Sequence, residues 1–126
     1  MTVALGPVVP ILRMFDVDAS KRFYVDYLGC ALDWQDGEGD RPAYLQVSRG
    51  ELVLHLSSHH DDGTPGGALL VEIQGLDALH AELREQGYPY LTPGIEAGPG
   101  EGRQMELIDP SSNRLRFYER PLPSVA

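Results

Sequence analysis

Cysteine, lysine and long apolar runs are what this chain has least of. A single cysteine, Cys30, cannot make a disulfide within the chain, so nothing here calls for an oxidising compartment. Ten side chains are cationic and only one of them, Lys21, is a lysine. They are scattered, and nucleic-acid binding by counterion release needs them clustered, so no nucleic-acid partner is expected. No apolar run is long enough to span a bilayer, and no basic stretch followed by an apolar core opens the chain. The expected compartment is the cytoplasm, with no membrane partner.

What is present describes one globular domain over residues 1–126. Of the 126 residues, 42% are hydrophobic and 23% charged, which is ordinary folded composition. A monomer of 13.9 kDa exposes about 6,700 Å² of the about 20,000 Å² in its extended chain, so it holds a core without staples. The charge balance is 10 − 19 = −9. Solubility is the plain reading of that excess; a preference for cationic ligands is the sharper one.

Fourteen glycines and ten prolines cut the chain into short pieces, and their periodicity reads strand, helix and three strands, twice over. The first module covers about residues 7–58. It holds a strand near 8–13, a helix near 18–28, and strands near 31–36, 43–49 and 51–58. Asp16 or Asp18 caps the helix and Gly29 stops it. A polar loop, 58–67, separates the halves. The second module covers about 67–120, with a strand near 68–74, a helix near 77–86, and strands near 88–91, 103–108 and 114–119. Val17-Asp18-Ala19 echoes Leu76-Asp77-Ala78, and Leu28-Gly29 echoes Gln86-Gly87, as a duplicated βαβββ unit would.

Alternation along the strands sorts the side chains into two faces. One face is apolar throughout: Leu45 and Val47, Leu52, Leu54 and Leu56, Leu69, Val71 and Ile73, Met105 and Leu107, Leu115 and Phe117. The opposite face carries Tyr44, Gln46, His55, Glu72, Gln104, Glu106, Arg116 and Tyr118. A solvated antiparallel face is one reading. The mixture of histidine, tyrosine, glutamine and paired Arg and Glu fits a cavity lining better. His55 on this face is either a hydrogen-bonding or acid–base group or a histidine tied to a neighbouring strand. Glu106 and Arg116 form a buried ion pair that closes the sheet, shuts the site, or holds Arg116 for an anionic group of a ligand. His59, His60, Asp61 and Asp62 read as a solvated loop, because i, i+4 spacing converges on a helix and not where a strand runs into a loop. Residues 93–102 are glycine-rich but lack the Gly-Lys-Ser/Thr of a phosphate cradle; they read as a flap. Cys30 reads as a small buried residue.

Two strings carry a family resemblance. Asp16-Val-Asp-Ala-Ser-Lys-Arg-Phe23-Tyr24-Val-Asp-Tyr-Leu28-Gly29 resembles the first helix of the vicinal-oxygen-chelate superfamily, the glyoxalase, bleomycin-resistance and extradiol-dioxygenase group. Ile108-Asp109-Pro110-Ser-Ser-Asn113-Arg114-Leu115 resembles its Asp-Pro-x-Gly-Asn turn, with Ser112 in place of glycine. The resemblance spans about residues 8–119. It implies an α+β fold of two βαβββ modules, a cupped eight-stranded mixed sheet with two helices outside, and a homodimer. The superfamily's metal ligands would fall on Val9, near Ala68 and on Arg116, and none of these ligates a divalent cation. No metal or other cofactor is therefore expected.

What remains is similar to the bleomycin-resistance branch, whose members sequester a cationic glycopeptide at the dimer interface. The segment 50–57 and the loop 93–96 also resemble that branch. Gly100 stands where related sequences often carry tryptophan, which leaves the ligand open. The resemblance implies a metal-independent small-molecule binder lined by Trp34, Tyr44, His55, Gln104, Glu106, Arg116 and Tyr118, with no catalytic residue. The alternative is a glyoxalase-like lyase or isomerase with an atypical site, using His55 or Glu106 as base. A structural or regulatory dimer is the third possibility.

Overall fold

The computed structural model describes residues 2–37, 41–86 and 93–121. The elements run β1 (Ile11–Arg13), α1 (Val17–Lys21), a π-helical continuation (Arg22–Tyr27), β2 (Ala31–Asp36), β3 (Tyr44–Arg49) and β4 (Leu52–Ser57). Then come β5 (Ala68–Glu72), α2 (Leu76–Gln86), β6 (Glu96–Ala97), a single turn (Pro99–Glu101), β7 (Arg103–Ile108) and β8 (Arg114–Glu119). The eight strands fall into two four-stranded mixed sheets of identical topology, β1-β4-β3-β2 and β5-β8-β7-β6. In each, the strand before the helix runs parallel to the last strand of its module, and the other neighbours are antiparallel. The duplicated βαβββ reading is therefore the observed α+β architecture.

The boundaries differ in three places. Residues 8–10 are extended but outside the ladder, and only Pro10 reaches it, its carbonyl accepting from His55 N at 2.9 Å. The strand expected near 88–91 lies outside the described residues. The sheet edge at this position is the two-residue β6, which pairs Glu96 with Gln104 and Ala97 with Arg103.

Both helices cover the apolar sheet faces. Asp16 caps α1, its Oδ1 accepting from Ala19 N at 3.0 Å. The chain then widens into π-type turns, with Leu28 N donating to Phe23 O. In this segment Tyr24 is fully buried beside Phe23 and Tyr27, and its ring meets Phe23 edge-on at 4.9 Å. Gly29 at φ +79° ends the segment, a left-handed C-cap that glycine adopts without Cβ strain. In α2, Leu76, Leu79 and Leu83 face inward at helical spacing. Leu45, Val47, Leu54, Leu56, Met105 and Leu115 meet them at 0% exposure.

The modules are tied by a buried carboxylate. Asp109 Oδ2 accepts from Tyr24 Oη at 2.6 Å and from Asn113 Nδ2 at 2.8 Å. Its Oδ1 accepts from the amides of Ser111 and Asn113. Asn113 Nδ2 also donates to Arg13 O, and Phe15 N donates to Ser111 Oγ. The β7–β8 turn of the second module thereby grips β1 and the first helix of the first.

Replacing Tyr24 by phenylalanine removes one donor from that charged, buried group. It is expected to cost about 1.5–3 kcal/mol in urea unfolding. Ser112 stands at φ +69°, where a Cβ is strained by roughly 1 kcal/mol. Glycine's larger unfolded-state entropy returns part of that, so Ser112→Gly is expected to stabilise by about 0.5 kcal/mol. Both are measured at one protein concentration; a destabilised Ser112→Gly would assign the serine side chain a role of its own.

Candidate functional site

The polar sheet faces carry two separate groups of side chains. On the first sheet, β2, β3 and β4 bring together Trp34, Tyr44 and His55. Trp34 and Tyr44 stack with planes 8° apart and centroids at 5.8 Å. His55 meets both edge-on, at 5.3 Å and 5.1 Å. Tyr44 Oη lies 2.7 Å from His55 Nδ1, and His55 Nε2 lies 2.9 Å from Gln46 Oε1. Gln46 Nε2 donates to Asp33 Oδ2 at 3.0 Å. His59 belongs to the exposed loop, as expected, but its ring stands 6.2 Å from Tyr44 at the rim. Its carbonyl accepts from the Arg13 guanidinium.

Asp33 is the residue that sequence reading missed. Strict alternation sends Asp33 and Trp34 to opposite faces of β2. Instead the register shifts, with Leu32 opposite Val47 and Trp34 opposite Gln46. This bulge lets both consecutive side chains reach the same group. Gln46 was legible as a member of the polar face, but not as the link between His55 and Asp33.

The electrostatics of this group are acidic. Hydrogen bonds from Gln46 and Ser48 hold the Asp33 carboxyl below its ordinary range. Desolvation, and then the charge of Asp62, push the Tyr44 hydroxyl up, which keeps it protonated. Behind the wall, burial pushes the Cys30 thiol up to about 11, so this cysteine is packing and not a nucleophile.

On the second sheet, Glu106 Oε1 lies 3.4 Å from Arg116 Nε and 3.9 Å from Arg114 Nε. The pair is half-exposed and not buried as expected. Gln104 reaches Glu96. Tyr118 donates to Pro99 O at 2.7 Å. The loop folds onto its ring: a Cβ on Gly102 would stand 2.5 Å from Tyr118 Cε2, so glycine is what allows the approach. Arg103 supports this side, bonding Asp77 and Glu119, while Glu119 Oε2 accepts from the Gly75 and Leu76 amides at the start of α2.

Among the described residues, no hydrogen bond, ion pair or ring contact joins the two groups. Nor does either line the groove of about 1140 Å³ between the modules, walled by Leu52 and Val53, by β5 and by Leu79 and Phe117.

A family model described as glyoxalase superfamily protein matches residues 1–122. The chain belongs to the glyoxalase superfamily. A search of the curated proteins finds no match. Among solved structures, it resembles the bleomycin-binding protein of bleomycin-producing Streptomyces verticillus in complex with copper(II)-bleomycin. Identity there is 28%, over 96% of this chain and all of that one, with a TM-score of 0.72. It shares its fold with the bleomycin resistance determinant of transposon Tn5 (TM-score 0.74, 20% identity, 94% and 100% covered). The same holds for TnmS3, an antibiotic-binding protein of Streptomyces sp. CB03234 (TM-score 0.74, 23% identity, 95% and 100% covered).

Where the resemblance expects the superfamily's metal ligands stand Val9, the stretch near Ala68, and Arg116, the last beside Glu106. Two alkyl groups and a guanidinium do not fit a divalent cation. Among the described residues, no three His, Cys, Asp or Glu side chains converge as ligands elsewhere.

Arg103 also sets an acid limit on the fold. Its hydrogen bonds lead the effects that hold Asp77 and Glu119 below the ordinary carboxylate range. Carboxyls depressed in the folded state contribute stability above their unfolded values, and lose it as pH falls through the folded ones. Melting temperature is therefore expected to drop on acidification, and Arg103→Met to flatten part of that drop. An unchanged acid profile in the variant would contradict this.

Proposed function

We propose that this chain is a metal-independent binding protein that sequesters a small cationic, ring-bearing molecule of the bleomycin kind. The observation that carries the reading is the Trp34–Tyr44–His55 wall. Tyr44 and His55 are held by hydrogen bonds and Trp34 by ring contacts with both, the wall is partly open to solvent, and Asp33 and Asp62 lie beside it. Flat rings gain from such a platform, and a cation gains from the carboxylates and from a net charge of −9. The bleomycin complex of the 28%-identical Streptomyces verticillus protein supports the same class of ligand.

The site is built between two copies of the chain. The wall and the Glu106–Arg116 side lie on separate open faces, so a second copy supplies what one chain lacks. The arm 2–10 is extended and exposed, with Val3, Leu5 and Val8 at 88%, 92% and 89%. Among the described residues the outer edge of β5 has no partner strand, and the groove lined by Leu52, Val53, Leu69 and Phe117, with Arg49 and Glu72 also in its walls, opens beside it. Exposed apolar surface of this kind marks an interface, and a homodimer covers it. Sequestration in the cytoplasm suits such a protein.

A second reading, a glyoxalase-like lyase or isomerase, draws on the 2.7 Å Tyr44–His55 contact, a pair able to relay a proton. The raised Tyr44 hydroxyl works against it as a base.

Calorimetry with metal-free bleomycin tests the binding. Saturation at one molecule per chain is expected, and Trp34→Ala weakens it about tenfold, the ~1.4 kcal/mol of a lost stacked ring. Sedimentation should give a dimer, and Leu5→Asp with Val8→Asp should give a monomer that no longer binds. No heat from the native protein would refute bleomycin as ligand; a native monomer would refute the shared site.

A further inference from the structure

The hydrogen bonds of the first sheet have a direction as well as a length, and the direction follows from one charge. Asp33, as a carboxylate, only accepts. The end of Gln46 that meets it is therefore the amide NH₂, and Gln46 Oε1 is left toward His55. An oxygen there requires His55 Nε2 to carry the proton, at 2.9 Å. Neutral imidazole has one N–H, so Nδ1 is bare and must be met by a donor. The group 2.7 Å away is the Tyr44 hydroxyl, whose hydrogen is thereby committed to His55. What Tyr44 presents outward is its oxygen lone pairs.

We propose that Asp33, acting through Gln46 and His55, fixes Tyr44 as a hydrogen-bond acceptor toward the ligand, so that this point of the site selects an N–H or ammonium donor. The proposal rests on the binding reading and adds the chemistry of one contact. Its surroundings agree. Asp62, which accepts from Ser57 Oγ at 2.7 Å, places a second negative charge near Tyr44. Arg13, on the same sheet, is engaged by His59 O and lies over the Phe15 ring. The Tyr44 hydroxyl hydrogen and the His55 Nε2 hydrogen are both committed within this chain of groups, and the donor that remains in it is the second amide hydrogen of Gln46, not a group of Tyr44 or His55. Asp33 and Gln46 are positioning residues; Tyr44 makes the contact.

The tautomer of His55 is read without any ligand, by long-range ¹H–¹⁵N correlation at pH 8. Its signals are assigned by their loss in His55→Gln. A protonated Nε2 and a bare Nδ1 are expected. In Asp33→Asn the new amide can donate or accept, Gln46 is free to turn, and the Nδ1–H form should appear. A native protein already in the Nδ1–H form would overturn the proposal whatever it binds.

Selection is read by Trp34 fluorescence with two flat probes of one ring system, 2-naphthamidine and 2-naphthoate. The amidine should bind at least tenfold tighter, and Tyr44→Phe should remove at least threefold of that preference. A preference untouched by Tyr44→Phe would come from overall charge and would overturn the proposal. If the tautomer is as expected but neither probe binds, the ring-binding reading fails, and the selective role of Tyr44 fails with it.

Discussion

The Asp109 carboxylate is the joint on which the two modules hang. A charge removed from water needs its hydrogen bonds made inside the protein. Here four donors converge on it, from Tyr24, Ser111 and twice from Asn113. One of these comes from the first helix, and Asn113 extends the grip to the carbonyl of Arg13. The recurring turn motif is thus a clasp, not part of the site. It sits where β1 ends and β8 begins, and so helps set which side chains of each sheet face outward. A second tie, Arg49 to Leu28 O and Glu82, joins the first module to α2.

The legible part of this protein is the part governed by period. Alternation in β3, β4, β7 and β8 assigned Leu45, Leu54, Met105 and Leu115 to the core, and these side chains have no exposed surface. The same alternation grouped Tyr44 with His55, and Glu106 with Arg116. Where backbone departs from ideal period, the reading departs too. The bulge in β2 hid Asp33. Tyr118 was legible as a face residue, yet its ring contact with Gly98 and Gly102 depends on loop geometry, which no periodicity encodes. The polar face could be read as one surface, whereas its halves belong to two sheets, and among the described residues no hydrogen bond, ion pair or ring contact joins the two polar groups.

That separation explains why the groove between the modules and the chemistry do not coincide. The groove has both apolar and charged walls and, among the described residues, lies beside an unpaired strand edge, an edge of the kind that can meet another chain. The polar groups sit on the open faces, where a single chain leaves the Glu106–Arg116 pair half-exposed. Burying these faces together would lower the dielectric around the ion pair and around Asp33, strengthening both.

The two halves would contribute unlike things to a bound molecule. Among the described residues, the ring surface open on the polar sheet faces lies on the first sheet, because Tyr118 on the second face has its ring under the glycine loop and its hydroxyl committed to Pro99. Gly100, at φ 62° in that loop, brings no ring of its own. The second sheet instead offers Glu106 shared between Arg114 and Arg116, a group that can exchange one partner for a charged group of either sign. A ligand matched to this division carries a flat ring system at one end and hydrogen-bonding or charged groups at the other. A molecule that is aromatic throughout would find stacking on one side only. Discrimination among antibiotics would then rest on how far apart the ring and its polar end are held, a distance set by how two copies of the chain pack.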